Sequence, residues 1–155
     1  MKRLLFVCMG NICRSPIAEG VMRHQLDRHG LDHIEVDSAG TGDWHAGRGA
    51  DARAQRVAKA HGIDIVGHVA RQIATRDYEE FDWILCADRE NLNEVLRRAP
   101  AGLIPRCELV LEAAGFGSPV EVPDPYYGDE RDFEAVYALL ARAAESLVQK
   151  LRAGP

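Results

Sequence analysis

Long apolar runs, dense cysteine and an excess of basic charge are all missing from this chain of 155 residues. Apolar stretches such as Leu4–Met9 fall far short of the roughly 20 residues that a membrane-spanning helix needs. No basic-then-apolar N-terminal signal with a small-residue cleavage site is present, so the expectation is a cytoplasmic protein with no membrane partner. Lys and Arg number 19 against 24 Asp and Glu, a formal charge of -5. A nucleic-acid backbone would be repelled on average, and no nucleic-acid partner is expected. Only four cysteines occur, at 8, 13, 86 and 107, too few for a disulfide scaffold of this length, and reduced thiols are expected. With no CxxC pair, a structural metal site would need scattered ligands; neither metal nor cofactor is expected.

What remains is ordinary: 46% hydrophobic and 28% charged residues, enough for a single domain spanning residues 1–155 around one core. The run 3–7 reads as a buried strand ending at Cys8. After a short loop a helix is expected, with Ser15 as N-cap, Pro16 at its first position, Glu19 in its first turn and Gly30 as its stop. Residues 34–38 and 83–87 read as strands, 50–60 as a helix stopped by Gly62, and Asp88 as the cap of a helix carrying Leu92, Val95 and Leu96. Residues 105–111 read as a last strand and 119–129 as a loop rich in proline and acid. Phe133, Val136, Tyr137, Leu140, Ala144, Leu147, Val148 and Leu151 recur at helical spacing, a stripe that docks a C-terminal helix on the core. Strands alternating with helices predict an α/β fold with a parallel sheet covered on both faces, and ligands bound at the carboxyl ends of the strands.

The segment Cys8-Met9-Gly10-Asn11-Ile12-Cys13-Arg14-Ser15 carries the chemistry. A loop between a strand end and a helix start can turn successive backbone N–H groups inward, and the helix adds the positive end of its dipole; such a hollow suits a tetrahedral oxyanion. Gly10 permits a turn that a side chain would obstruct, and Asn11 tolerates left-handed backbone. Arg14 offers a planar fork matching two phosphate oxygens. Cys8, at the floor, is placed to attack a bound phosphoryl group, and Ser15 to hydrogen-bond its thiolate.

The segment VCMGNICRSP at 7–16 resembles the signature of low-molecular-weight protein tyrosine phosphatases. DSAGTGDWHAGRGADARA (37–54), GHVARQ (67–72), FDWILCADRENL (81–92) and VPDPYYGDERDFEAVY (122–137) are similar to further segments of that family, in the family's order. The resemblance implies a small parallel four-stranded sheet and metal-free hydrolysis of phosphotyrosine through a phosphocysteine. It implies Cys8 as nucleophile, Arg14 as phosphate binder, Asp124 as general acid, and Ser15, Asn11, Ser38 and His68 as loop supports. Met9, Trp44, Tyr126 and Tyr127 fall where the family walls the substrate ring, with Gly10, Asn11, Ile12 and Cys13 completing the substrate-binding loop. Cys13 matches a residue that forms a reversible disulfide with the nucleophile. Partners so implied are tyrosine-phosphorylated proteins, a tyrosine kinase being one candidate, with the chain a monomer or weakly self-associating.

The residues support part of this independently. An aryl leaving group departs as a phenolate of conjugate-acid pKa about 10, so a proton donor speeds cleavage, and a carboxylic acid can then activate water. Asp124 stands between Pro123 and Pro125 and before two tyrosines. Asp129 is a second acid in reach, better placed as the cap of the last helix. Three other functions compete. An arsenate reductase of this fold would need further relay cysteines, and Cys86 and Cys107 lie far apart in sequence. A phosphoarginine phosphatase of the family carries Thr where Ile12 stands. A noncatalytic phosphopeptide or redox module would not need Cys8, Arg14 and Asp124 together.

Overall fold

The computed structural model describes residues 2–103 and 105–154. In chain order the elements are β1 (Arg3–Cys8), α1 (Arg14–Arg28), β2 (Glu35–Gly40), α2 (Ala52–Ala60), α3 (Thr75–Glu80), β3 (Trp83–Cys86), α4 (Arg89–Arg98), β4 (Arg106–Leu109), α5 (Val110–Ala113) and α6 (Glu130–Ala153). The four strands form one parallel sheet in the order β2-β1-β3-β4.

Alternation along β1 divides the core. Leu4, Phe6 and Cys8 face the cluster built with α1, α2 and α6, whereas Leu5 and Val7 face Tyr78, Phe81 and Val95 of the α3 and α4 side. A strand buried on both faces reads as an unbroken apolar run, which is why residues 3–7 show no polar alternation. The stripe expected on α6 lies buried, with Leu151 at its partly exposed end. Tyr78 donates its hydroxyl to the Val95 carbonyl at 2.6 Å, pinning α3 to α4.

Helix crossovers leave β1 toward one face of the sheet and β3 toward the other, so the strand order reverses between them. That switch point leaves a crevice at the carboxyl ends of β1 and β3. Both the loop after Cys8 and the cap residue Asp88 open into it.

Several sequence expectations are corrected. Helix α1 begins at Arg14 with Cys13 as its cap residue, so Ser15 lies inside the helix and does not cap it. Its hydroxyl is used within the loop instead. Glu19 lies beyond the first turn and there pairs with Arg23 at 2.8 Å. The strand expected over 105–111 is only four residues long, giving way to α5. Helix α3 had no sequence signal: six residues are too few to display a 3.6-residue period.

Candidate functional site

The loop Met9–Cys13 is held by its carbonyls. The Cys8 carbonyl accepts from Thr41 N at 2.9 Å, that of Met9 from Gly42 N at 2.9 Å, that of Ile12 from Asp51 N at 2.8 Å, and that of Cys13 from Ile17 N at 3.2 Å. His68 Nε2 lies 2.7 Å from the Asn11 carbonyl, which can only accept, so that nitrogen carries the proton. By contrast, no amide from Gly10 to Arg14 donates to an acceptor among the described residues. Because buried backbone donors almost always find a partner, a row of free amides beside satisfied carbonyls describes an anion cradle at a helix N-terminus.

Asn11 sets the curvature. Its φ of 58° is left-handed, a conformation most side chains avoid, and it is fully buried. Its Oδ1 accepts from Arg71 N at 2.9 Å, which fixes the amide orientation, and its Nδ2 donates to Ser15 Oγ at 2.8 Å and Ser38 Oγ at 3.0 Å. The Ser38 hydroxyl in turn donates a hydrogen bond to Glu19 Oε1 at 2.6 Å. Since Ser15 Oγ accepts from Asn11, its proton is free for Cys8 Sγ, 2.9 Å away. Glycine is required at position 40, where a Cβ would stand 2.7 Å from the Met9 carbonyl oxygen; a Cβ on Gly10 would press on the His45 ring, 2.9 Å from its Cδ2.

Arg14 is buried, its Nη1 donating to Asp88 Oδ2 at 2.7 Å and to the Val122 carbonyl at 2.9 Å, while Nη2 lies 3.9 Å from Asp124 Oδ2. Burial by itself would lower this guanidinium, but the Cys8 sulfur, Asp88 and Asp124 outweigh it and hold Arg14 above its ordinary value. It is a permanent cation beside the cradle. Val122 N also donates to the Ala87 carbonyl at 2.8 Å, so the proline-rich loop is sewn to the end of β3. This brings Asp124 to the crevice, with its Oδ1 accepting from Tyr126 N at 3.1 Å.

Asp129 is spent elsewhere. Its carboxylate caps α6, accepting from Arg131 N and Asp132 N, and Asp132 returns a bond to Asp129 N at 2.8 Å. Burial pushes the thiols of Cys13, Cys86 and Cys107 up, keeping all three protonated at neutral pH.

A cavity of about 350 Å³ stands over Cys8. Gly10, Ile12, Cys13 and Arg14 line its floor, and Met9, Trp44, Asp124, Tyr126 and Tyr127 its walls. Tyr126 and Tyr127 meet edge to face with ring centroids 5.0 Å apart. Of the residues expected at the substrate, all but Asn11 line this cavity; Asn11, expected there too, is fully buried and stands behind the loop with Ser15, Ser38 and His68.

Four functional contributors escaped sequence reading. Asp88 reads as a helix cap, which it is, but its second oxygen holds Arg14. His45 lines the cavity, 6.0 Å from the Tyr126 ring. Arg53 stacks its guanidinium 5.5 Å over Tyr126 and 4.5 Å over Phe133, fixing that wall. Arg71 orients Asn11 through its backbone. Only Asp88 had a local signal; the others depend on contacts distant in sequence. Among the described residues no group of three or more metal-ligating side chains converges, and no helix is long and apolar enough to cross a membrane.

A parallel sheet thus delivers the Cys8 thiol to the floor of an amide-lined loop. Comparison with known proteins gives the family. The family model described as low molecular weight phosphotyrosine protein phosphatase matches residues 3–154. The low molecular weight phosphotyrosine protein phosphatase of Sus scrofa is 41% identical, covering 97% of this chain and 96% of that protein, and the Homo sapiens protein of the same name is 41% identical, covering 96% and 95%. The crystal structure of a protein tyrosine phosphatase from Entamoeba histolytica with Hepes in its active site superposes with a TM-score of 0.93 at 39% identity, covering 99% of each chain. A Drosophila arginine phosphatase has the same fold, with a TM-score of 0.93 at 31% identity, covering 100% of each chain. The chain belongs to the low molecular weight phosphotyrosine protein phosphatase family.

Proposed function

We propose that this single-domain chain hydrolyses phosphotyrosine in proteins, and small aryl phosphates, through a phosphocysteine on Cys8. The observation that carries the reading is the row of free amides from Gly10 to Arg14, in the loop that lines one cavity with Cys8. The phosphoryl oxygens sit on those amides and the Arg14 fork. Thiolate sulfur attacks phosphorus from the floor. The S–P bond forms as the bond to the phenol oxygen breaks, and that oxygen takes a proton from the Asp124 carboxylic acid. Asp124, now a carboxylate, removes a proton from water, whose oxygen attacks phosphorus; the S–P bond breaks, inorganic phosphate leaves and the thiolate returns.

Ser15 steadies the thiolate in both half-reactions, and Asn11, Ser38 and His68 hold the loop that aims the amides. Met9, Trp44, Tyr126 and Tyr127 sandwich the phenyl ring. Such walls favour an aryl ester over a bare oxyanion such as arsenate. Ile12, an apolar residue at the cavity floor, favours phosphotyrosine over phosphoarginine. Cys13 guards Cys8 by forming a disulfide with it under oxidation, and the four free cysteines suit a reducing cytoplasm. Turnover of matched phosphotyrosine and phosphoarginine peptides tests the reading. Phosphotyrosine is expected to dominate, and a preference for phosphoarginine would overturn the assignment.

A further inference from the structure

Asp51 and Arg53, at the start of α2, join parts of the site that lie far apart in sequence. The Asp51 amide donates to the Ile12 carbonyl of the cradle loop at 2.8 Å. Its carboxylate caps α2, accepting from Arg53 N at 2.8 Å, and also holds the Arg53 guanidinium by two bonds: Nε lies 3.1 Å from Oδ1 and Nη2 3.0 Å from Oδ2. Nη1 is left to donate to the Gly128 carbonyl at 3.3 Å, at the end of the turn that carries Tyr126 and Tyr127. The same guanidinium lies 5.5 Å from the Tyr126 ring centre and 4.5 Å from that of Phe133, which is fully buried. Burial by itself would raise the Asp51 carboxyl, but the bonds from Arg53 hold it below its ordinary value, so the pair is ionised at neutral pH.

A guanidinium bonded twice to one carboxylate has little freedom to turn. It forms a fixed plate beside Tyr126, anchored at one end to the cradle loop and at the other to the turn. Tyr127, the edge-to-face neighbour of Tyr126, is 94% exposed and offers it no such support. Arg53 does not line the cavity over Cys8, so any effect it has on substrate passes through Tyr126. We propose that Arg53, clamped by Asp51, is a positioning residue that fixes the Tyr126 wall relative to the cradle and thereby sets the preference for aryl over alkyl phosphate esters. This rests on the phosphotyrosine reading above and specifies how the chain selects that substrate class.

The test uses two non-hydrolysable ligands with the same phosphonate head, benzylphosphonate and ethylphosphonate, and measures their dissociation constants by calorimetry. The wild type is expected to prefer benzylphosphonate. Arg53→Met should narrow that preference by about fivefold, the range of a cation–π contact at a partly exposed site, while ethylphosphonate binds as before. Lysine keeps a charge for Asp51 but lacks the planar fork, so Arg53→Lys should narrow the preference as well, and it decides the matter if the methionine variant fails to fold. In a Tyr126→Leu background, adding Arg53→Met should narrow the preference no further. An unchanged preference in the folded Arg53 variants would overturn the proposal, as would an equal loss of affinity for both ligands, which would place the effect in the cradle. The expected binding pattern in an enzyme that hydrolyses no aryl phosphate would uphold the role of Arg53 and overturn the phosphotyrosine reading.

Discussion

Asp88 divides its carboxylate between two tasks: one oxygen accepts from Arg14 Nη1 at 2.7 Å, and the other accepts from Asn91 N at 2.8 Å to cap α4. The side chains are 4% and 20% exposed, so the pair sits largely out of water. Removing one partner of such a pair strands the other charge. Asp88→Ala should therefore destabilise the fold by about 3 kcal/mol or more and lower kcat/KM for aryl phosphates. Asp88→Asn keeps a good capping residue but loses the charge, so it should recover the capping part of the stability and leave phosphate affinity impaired. Urea denaturation together with inhibition by inorganic phosphate separates the two tasks.

Asp124 is the second target. Proton donation matters most when the leaving phenol is weakly acidic, and Asp124→Ala should slow such substrates by about 10²–10⁴-fold. Activated phenols should be slowed less in the first half-reaction. Rates across a series of substituted phenyl phosphates will give a steeper dependence on leaving-group pKa in the variant. An unchanged slope would remove Asp124 from the role.

The supports behind the cradle act through its shape. His68→Ala leaves the Asn11 carbonyl without its donor, and Ser38→Ala takes one partner from the Asn11 amide. Each should cost about 1–2 kcal/mol of stability. Each should also lower kcat more than it raises KM for small aryl phosphates, because the left-handed Asn11 relaxes and the amides lose their common aim. A combined variant should show less than the sum of the two losses, since both act on one residue.

Acid sensitivity follows from Asp82. Its Oδ2 accepts from Lys2 N at 2.8 Å and Arg3 N at 2.9 Å, and those two amides hold the carboxyl below its ordinary value of 3.8. A depressed folded value means that the contribution is fully present above the ordinary value and is lost as pH falls through the lower one. Urea midpoints measured between about pH 5 and about pH 2 should fall less steeply for Asp82→Asn than for the wild type. An equal fall in both would show that the bond is not linked to acid unfolding.

What the sequence disclosed and what it hid divide by distance along the chain. The cradle was legible because its strand, turn, arginine and helix lie within one short segment. The stripe on α6 was legible because its 3.6-residue period is long and unbroken. Ser15 misled because a serine beside proline carries the local signature of a cap, whereas its hydroxyl serves Cys8 and Asn11. The pairing of Arg14 with Asp88 and the stacking of Arg53 on Tyr126 were hidden, because each joins residues that only the sheet order brings together.

The central claim is that phosphate passes through the Cys8 sulfur. Rapid acid quenching during turnover of an aryl phosphate, followed by mass spectrometry of the peptide containing Cys8, tests it directly. The account predicts a phosphate adduct on Cys8 that builds up in a burst and is absent from Cys8→Ser, which should be inactive while still binding inorganic phosphate. Turnover that persists in Cys8→Ser, or steady hydrolysis by the wild type with no adduct on that peptide, would contradict it.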